Sequence, residues 1–327
     1  MHRLSALALM ILGQASPVEF SSQTAMRIAA CGPSDPDRVA LERVMRGPSY
    51  DHLGGGLHDG PGGPKRLETN AWFLNALVAS YESKQDLFVR NVALDVVSFG
   101  LRDLKNAAGA FFRSQGSGAS ARYFSFSRAE IESALGSARS REFFEHFSLS
   151  PEGFPVLIGS PFGGLAETRQ TLVLRRLRRV RLPLDATIDR DANGVWIGAL
   201  ARAAHVLDRH DFMEAARRAA TAQAERPGGS AGAAFGLAAL ARFDRGGDPG
   251  QGASKALEVA MAQSPRADAP DLTTLVFGLT DALRLNASDL RRRQLAHVMR
   301  ELERRFPGAE TLVAARCLSA TVTAKAP

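Results

Sequence analysis

A dense glycine-rich stretch, Tyr50-Asp51-His52-Leu53-Gly54-Gly55-Gly56-Leu57-His58, lies between two helical segments of this 327-residue chain. Its three consecutive glycines carry no Cβ and admit positive φ, so the backbone there can turn tightly or approach a ligand closely. An aspartate and two histidines flank the glycines. Two interpretations follow: the stretch is the floor of a binding site, or it is a tight connector in which Asp51 caps a helix and the histidines are hydrogen-bonded.

Helical hairpins dominate the rest of the chain. At five places an apolar helical segment ends in a short polar turn with Asp or Asn, and another helix begins at once. The five turns lie at residues 29–36, 81–86, 206–211, 244–249 and 284–289. A hairpin that cannot bury its own apolar stripe must stack on its neighbours, so the series predicts an inner ring of helices surrounded by outer helices. Loops at one end of such a ring would line a central cavity.

Two stretches depart from the hairpin pattern. Aromatic residues flank a Gly-Ser turn at residues 110–127, which predicts a small β-hairpin insertion laid across the ring. Ser127 and Glu130 form a capping-box pattern that begins another helix. The segment 150–167 is rich in proline and glycine and carries a short apolar strand at 156–158.

We therefore interpret the chain as one domain preceded by a targeting segment. The predicted boundaries are 1–15 for a signal peptide and 16–327 for the domain, with a first half of about 16–150, a loop-rich seam at 150–167 and a second half of about 168–327.

Residues 1–15 have the pattern of an export signal: Met1-His2-Arg3, an apolar run at 4–12, and then Gly13-Gln14-Ala15. The run is too short to cross a bilayer, which requires about 20 apolar residues. We expect cleavage and a periplasmic or secreted protein. The alternative is a first amphipathic helix in a cytoplasmic protein. No other stretch is long and apolar enough for a transmembrane anchor.

The cysteines and the remaining motifs exclude several kinds of site. Cys31 and Cys317 are the only cysteines, so the chain has no Cys-x-x-Cys redox pair and no cysteine-based zinc site. Ring closure could pair them in an oxidising compartment, but we expect two buried free cysteines. The glycine triplet lacks the lysine and hydroxyl of a phosphate-binding loop. His52 and His58 form a poor metal site without a third ligand. No metal and no cofactor are predicted.

The net charge of +7 and the pI near 10.0 attract anions in general without identifying one of them. In the arginine run at 175–181, Leu174, Leu177 and Val180 form a narrow apolar stripe, which is typical of a docked linker helix. No aromatic stacking platform lies nearby, which argues against nucleic acid. The run Arg291-Arg292-Arg293 is expected at the exposed start of an outer helix.

The glycine-rich stretch resembles a signature of the YyaL-type family. Residues 45–58 are similar to Ala-Arg-Gly-Gly-Ile-Tyr-Asp-His-Leu-Gly-Gly-Gly-Phe-His of that family, and further similarities follow in the same order at 75–77, 123–131 and 193–203. Members carry a thioredoxin-like domain followed by a six-hairpin (α/α)6 toroid. The resemblance extends from about Gly13 to the C-terminus and implies an all-α (α/α)6 toroid, also seen in sugar epimerases and six-hairpin glycosidases.

The chain departs from the family pattern in several ways, which include Ala192 in place of a tryptophan before Asn193 and a shortened second half. We find no thioredoxin-like domain with its Cys-His-Trp-Cys motif, so no thiol redox role carries over. The family's Trp-x-x-Pro-His-Phe-Glu-Lys-Met segment corresponds here to residues 64–75, where Leu67 replaces the histidine and Glu68 aligns with the glutamate only after a one-residue shift. Loss of the histidine implies loss of the acid/base chemistry that used it.

Three classes of function are considered, the first two from the resemblance and the third from the basic charge. The first is a noncatalytic or vestigial toroid that binds a carbohydrate-like ligand in its central cavity. The second is an active epimerase or glycosidase-like enzyme, because glycoside hydrolysis needs two carboxyl groups facing one cavity. The third is an interaction protein that uses a basic surface, with no partner identified. Helix capping is the simpler role for the two carboxylates considered, Asp51 and Glu68.

Candidate residues for the first two classes come from the matched motifs. The candidate catalytic residues are Asp51, His52 and Glu68, with His58 as a further acid/base. The candidate ligand-binding residues are Tyr50, Gly54, Gly55, Gly56, His58, Asn75 and Asn193.

Overall fold

The computed structural model describes residues 21–116, 121–159, 165–179, 182–224, 230–244 and 250–323. The predicted signal peptide at 1–15 lies outside these ranges, as do Val180 and Arg181. Within the described residues, no helix combines the length and the apolar character needed to span a membrane.

Helices form most of the described chain. They are α1 (Ser22–Cys31), α2 (Asp35–Arg46), α3 (Leu67–Lys84), α4 (Leu87–Phe99), α5 (Ala121–Phe124), α6 (Arg128–His146), α7 (Ala166–Leu177), α8 (Arg190–Val206), α9 (His210–Ala224), α10 (Ala231–Phe243), α11 (Gly250–Gln263), α12 (Ala269–Leu285), α13 (Asp289–Arg305) and α14 (Glu310–Thr323). A π-helical turn, Gly100–Leu104, continues α4, and a 3₁₀ turn, Ser264–Arg266, follows α11.

Six of these helices close a ring. Helices α1, α3, α8, α10, α12 and α14 pack in that circular order, and α14 returns to contact α1. Helices α2, α4, α9, α11 and α13 each follow an inner helix, and all of them except α4 lead directly to the next one, since α5, α6 and α7 lie between α4 and α8. The predicted hairpin turns therefore fall where one helix ends and its partner begins. The predicted (α/α)6 toroid is confirmed.

Small residues let the inner helices approach closely. A Cβ on Gly194 of α8 would lie 2.2 Å from the carbonyl carbon of Gly232 on α10, so the two backbones are in direct contact. The ring interior between them is filled by aromatic side chains. Trp72 stacks on Phe235 with ring centroids 5.8 Å apart, and Phe277 lies 5.2 Å from the same indole. Side chains therefore fill the ring interior where these residues lie, and the interior is not an open channel from end to end.

The described residues also form two small antiparallel sheets beside the helices. One contains β1 (Lys65–Arg66), β2 (Ser114–Gln115) and β5 (Leu184–Asp185), in the order β1-β2-β5. The other is a hairpin of β3 (Phe147–Leu149) and β4 (Pro155–Leu157). Strand β4 begins one residue before the strand predicted at 156–158.

A β-hairpin is thus present at residues 147–157, whereas the described parts of 110–127 do not pair with each other as predicted, and the turn at 117–120 lies outside the described residues. In the segment 110–127, β2 pairs with β1 and β5, and the second aromatic run forms α5. Phe124 is buried there with Phe154 and Leu182. This tertiary packing overrides the β propensity of the aromatic residues.

The face that α7 buries differs from the predicted one. Leu174 and Leu177 are 53% and 61% exposed, whereas Leu172 and Arg176 point inward. Arg176 can be buried because a carboxylate of the glycine-rich stretch neutralises it. On α13, Arg291 is buried rather than exposed and donates to Gln294 Oε1 over 2.9 Å, while Arg292 and Arg293 are exposed as expected.

A disulfide closes the ring. Cys31 at the end of α1 and Cys317 on α14 are bonded, with their Cα atoms 5.3 Å apart and 286 residues apart in the sequence. The expectation of two buried free cysteines is therefore wrong. The first and last inner helices are neighbours, and this proximity brings the two side chains together.

Removal of this disulfide should destabilise the protein. A cross-link that closes so long a loop restricts the unfolded chain, so the double variant Cys31→Ser, Cys317→Ser should lose roughly 2–5 kcal/mol of unfolding free energy. Urea unfolding with and without dithiothreitol measures the loss. Reductant should bring the wild type down to the variant and leave the variant unchanged. Equal stability of wild type and variant under oxidising conditions would contradict the cross-link.

Candidate functional site

Asp51 lies at the centre of a buried ion cluster. Its carboxylate accepts hydrogen bonds from Arg176 Nη1 and Nη2 over 2.7 and 3.1 Å and from Lys65 Nζ over 2.6 Å. The backbone N–H groups of Leu53 and Gly54 donate to the same carboxylate. Burial alone would raise the pKa of Asp51, but the charges of Arg176 and Lys65 outweigh it and hold the pKa well below its usual range. This carboxylate therefore has a structural role, since all of the contacts described stabilise the folded chain.

Aromatic rings surround the two cations of the cluster. Lys65 Nζ lies 4.6 and 4.9 Å from the ring centroids of Phe99 and Phe124, and it also donates to Gly55 O over 2.7 Å. Burial lowers the pKa of Lys65 to about 8 despite the neighbouring Asp51. The cluster is a buried connection between the glycine-rich stretch, β1 and α7.

The glycines serve close packing against α4. Gly55 has a φ of 75°, and a Cβ there would lie 2.3 Å from Asp95 O. Gly56 has a φ of 86° and packs against the Phe99 ring, while a Cβ on Gly54 would lie 2.8 Å from Asp51 Oδ2. These contacts leave no space for a ligand, so the three glycines fit the connector interpretation.

Tyr50 and the two histidines hold the same loop through hydrogen bonds. Tyr50 donates to Asp95 Oδ2 over 3.2 Å, and His58 Nδ1 donates to Gly63 O over 2.7 Å. His52 Nε2 donates to the carbonyls of residues 46 and 47 over 3.0 and 3.1 Å. Burial lowers the pKa of His52 to about 4 and that of His58 to about 3, so both imidazoles are neutral near pH 7.

The two candidate asparagines occupy different environments. Asn193 accepts a hydrogen bond from Phe111 N and donates one to Phe111 O, each over 2.8 Å. These bonds fix the segment around Phe111 to α8. Asn75 donates to Ala71 O within α3 and lines a cavity inside the ring. Only Asn75 is therefore placed beside open space.

Glu68 lies in the first turn of α3, at the end of the toroid where the inner helices begin. Burial raises the pKa of Glu68, and the carboxylates of Asp189, Asp191 and Asp271 raise it further. The structure therefore groups Glu68 with carboxylates of α8 and α12, while Asp51 is engaged by Arg176 and Lys65. Asp51 and Glu68 are thus influenced chiefly by different charged groups, and their pairing stays a prediction.

Asp271 is the most perturbed carboxyl at this end. Burial raises its pKa to about 6, assisted by Asp268 and Asp191. Asp191 itself accepts from Gly232 N over 2.8 Å. Within the described chain, no group of three or more His, Cys, Asp or Glu side chains is arranged to hold a metal ion.

A cavity opens at the opposite end, where the inner helices finish. An inner chamber of about 110 Å³ has Asn75, Gly198, Phe235 and Phe277 among its lining residues. It shares Glu82 and the arginines of the inner-helix ends with a wider mouth of about 980 Å³. The chamber and the mouth together offer space to a small molecule.

Charged side chains from successive inner helices meet at this mouth. Arg202 Nη2 lies 2.6 Å from Glu82 Oε2, and Arg242 Nη1 lies 2.5 Å from Asp281 Oδ1. Arg284 Nη1 lies 3.7 Å from the same Asp281 oxygen. The sequence did carry a signal for this group, because an arginine recurs about every 40 residues, near the end of three consecutive inner helices.

Comparisons with known proteins bear on the fold. No family model matches the chain, and no curated protein matches it. Among solved structures, cellobiose 2-epimerase from Spirochaeta thermophila is similar with a TM-score of 0.54 and 11% identity, over 92% of this chain and 84% of that chain. This likeness shows a shared toroid fold.

Two further structures are more distant. An inactive variant of alpha-1,6-mannanase of Salegentibacter, in complex with alpha-1,6-mannotriose, has a TM-score of 0.42 and 11% identity over 92% of this chain and 74% of that chain. The Lin0763 protein from Listeria innocua has a TM-score of 0.40 and 10% identity over 89% and 66%. The YyaL-type resemblance stays a prediction.

Substitution of Asp51 should be costly because it leaves two buried cations without their carboxylate. We expect Asp51→Asn to lose about 3–5 kcal/mol of unfolding free energy. A matched control is Asp289→Asn, since Asp289 forms an exposed ion pair with Arg292 and should cost at most about 1 kcal/mol. Urea unfolding of both variants provides the comparison. Equal stabilities would exclude a structural role for Asp51.

The buried histidines should make the protein less stable in mild acid. Their folded pKa values lie below the ordinary 6.5, so the unfolded chain binds more protons between pH 6.5 and about 4, and the unfolding free energy falls as the pH falls through that window. Asp271 opposes this trend, because its pKa of about 6 exceeds the ordinary 3.8. The variant Asp271→Asn should therefore lose more unfolding free energy than the wild type as the pH falls.

Urea unfolding at pH 7 and pH 5 measures this dependence. The control His297→Gln, at an exposed position, should follow the wild type. A gain in stability of Asp271→Asn on acidification from pH 7 to pH 5 would contradict the assignment of His52 and His58 as buried neutral groups.

Proposed function

We propose that this protein binds a carbohydrate-like small molecule in the central cavity of the toroid and does not convert it. The observation that supports this proposal is the chamber lined by Asn75, Phe235 and Phe277 beneath an open polar mouth. An amide can exchange hydrogen bonds with sugar hydroxyls, and aromatic rings pack against the apolar C–H faces of a sugar. A cavity of this composition suits a polar ring molecule.

The candidate acid/base residues support the absence of turnover. Asp51 is ion-paired with two cations, while His52 and His58 are neutral and donate to backbone carbonyls. General acid/base catalysis requires a group that can reach the substrate and exchange a proton with it. Buried groups with fixed partners do not meet this requirement.

A second candidate function is carbohydrate conversion at the opposite end of the toroid. Glu68, Asp191 and Asp271 influence one another there, and the pKa of Asp271 is raised to about 6. A carboxyl with a raised pKa beside a second carboxyl is the combination that glycoside hydrolysis uses. This observation favours an enzyme that uses Glu68 without Asp51, His52 or His58.

We also propose that the protein functions in an oxidising compartment. The disulfide between Cys31 and Cys317 supports this placement, since such bonds persist in the periplasm and outside the cell. Export through the predicted signal at residues 1–15 is consistent with it.

A thermal-shift screen of the full chain against neutral and acidic monosaccharides and disaccharides tests the binding proposal. A ligand that binds the folded state raises the melting temperature by mass action. Asn75→Ala should abolish the shift, whereas Asn91→Ala, at an exposed position of α4, should preserve it. Absence of a shift with every compound would count against sugar binding.

Each stabilising sugar is then incubated with the protein, and its products are followed by nuclear magnetic resonance. We expect no hydrolysis and no epimerisation. Conversion that disappears in Glu68→Gln or Asp271→Asn would overturn the noncatalytic proposal in favour of the second candidate.

A further inference from the structure

We propose that the ligand of the central cavity is an anionic sugar whose carboxylate or phosphate group is held by Arg202, Arg242 and Arg284 at the mouth. This inference rests on the proposed function and specifies the chemical class of the ligand. The neutral part of the molecule would face the chamber with Asn75, and its charged group would face the arginines.

The arginines converge on one space from separate elements. Arg202, Arg242 and Arg284 lie on α8, α10 and α12, and Arg292 adds a fourth guanidinium from the outer helix α13. Their common space is kept open by small side chains that line the same mouth, namely Ala287, Ala296, Ser319 and Thr321. A guanidinium presents a planar fork of N–H groups that matches the geometry of carboxylate and phosphate oxygens.

The acidic side chains at the mouth do not balance these cations. Among the described charged residues that line the chamber and the mouth, four are arginines and two, Glu82 and Asp281, are acids. Arg292 is already paired with Asp289 outside the lining, so three arginines face these two acids. Asp281 is shared, because it lies 2.5 Å from Arg242 and 3.7 Å from Arg284. Positive charge therefore remains to be compensated by an anion from outside.

The arginines also retain hydrogen-bond donors. In the described part of the chain, Arg242 donates through Nη1 to Asp281, and Arg284 donates through Nη2 to Thr321 Oγ1 over 2.7 Å. Each guanidinium carries five N–H groups, and both side chains are about one third exposed. N–H groups thus remain available to an incoming oxyanion without breaking the existing contacts.

The arginines disfavour one another in the absence of an anion. Burial lowers the pKa of Arg284, and the positive charge of Arg242 lowers it further. The negative ends of the inner helices also attract cations to this end of the ring. That attraction explains one arginine at each helix end, but it does not explain their convergence on a cavity wide enough for a sugar.

Matched sugar pairs test this inference by isothermal titration calorimetry at low ionic strength. Glucuronate and glucose 6-phosphate are compared with glucose, and the corresponding derivatives of galactose and mannose are compared with their neutral hexoses. Inorganic phosphate is titrated as a separate probe. We expect at least one acidic sugar to bind about tenfold or more tightly than its neutral partner, with an affinity that falls as salt is added.

Variants assign the effect to the mouth. Arg242→Gln and Arg284→Gln should each weaken the acidic sugar about tenfold or more and leave a neutral sugar nearly unchanged. Arg284→Lys, which keeps the charge but not the fork, should lose part of the affinity. Arg304→Gln, at an exposed pair with Glu301 on α13, is the matched control. If a mouth variant does not fold, Arg292→Gln replaces it, since its pair with Asp289 is exposed.

The outcomes separate this inference from the proposed function. A neutral hexose that binds as tightly as its acidic derivatives would overturn the anionic class and leave the sugar-binding function in place. Inorganic phosphate that binds as tightly as the hexose phosphates would also overturn it, because the arginines would then recognise the anion alone. If no sugar of either kind binds, the proposed function fails together with the inference. The preferred acidic derivative distinguishes a carboxylate from a phosphate ligand.

Discussion

The pairing of Lys65 and Arg176 with one carboxylate, Asp51, joins the glycine-rich stretch to β1 and α7. These residues belong to three separate segments, and their burial is tolerable only while all three are in contact. Lys65 begins the strand that enters the three-stranded sheet, and Arg176 fixes the rotation of α7. The exposed leucines of α7 are a consequence of that rotation. The glycine-rich stretch therefore acts as a structural junction.

The fold could be predicted because its signals are local. A polar turn with Asp or Asn, followed by a new amphipathic helix, depends on residues within a few positions of one another. Four of the predicted hairpin turns coincide with the observed ones for that reason, while residues 245–249 of the fifth lie outside the described residues. The β-hairpin was misplaced, since the aromatic run at 123–126 obtains its conformation from packing against Phe154 and Leu182, which no local pattern reveals.

The site could be predicted much less well, because its determinants are distant in the sequence. Asp51 and Arg176 are 125 residues apart, and the sequence does not show that these two side chains form a buried ion pair. The glycine density was informative, but it indicates close approach without identifying what approaches, and here that group is the backbone of Asp95. Of the candidate ligand-binding residues, Asn75 lies beside open space because it faces the ring interior.

The covalent link between the first and last inner helices has a topological consequence. With Cys31 joined to Cys317, the described hairpins form a continuous loop in which each inner helix has a neighbour on both sides. The ring of inner helices is therefore continuous, and its helix contacts do not identify one helix as the first. A circular permutant opened at the turn between α12 and α13 would contain the same set of helix contacts, so this toroid has the geometry of a cyclic protein.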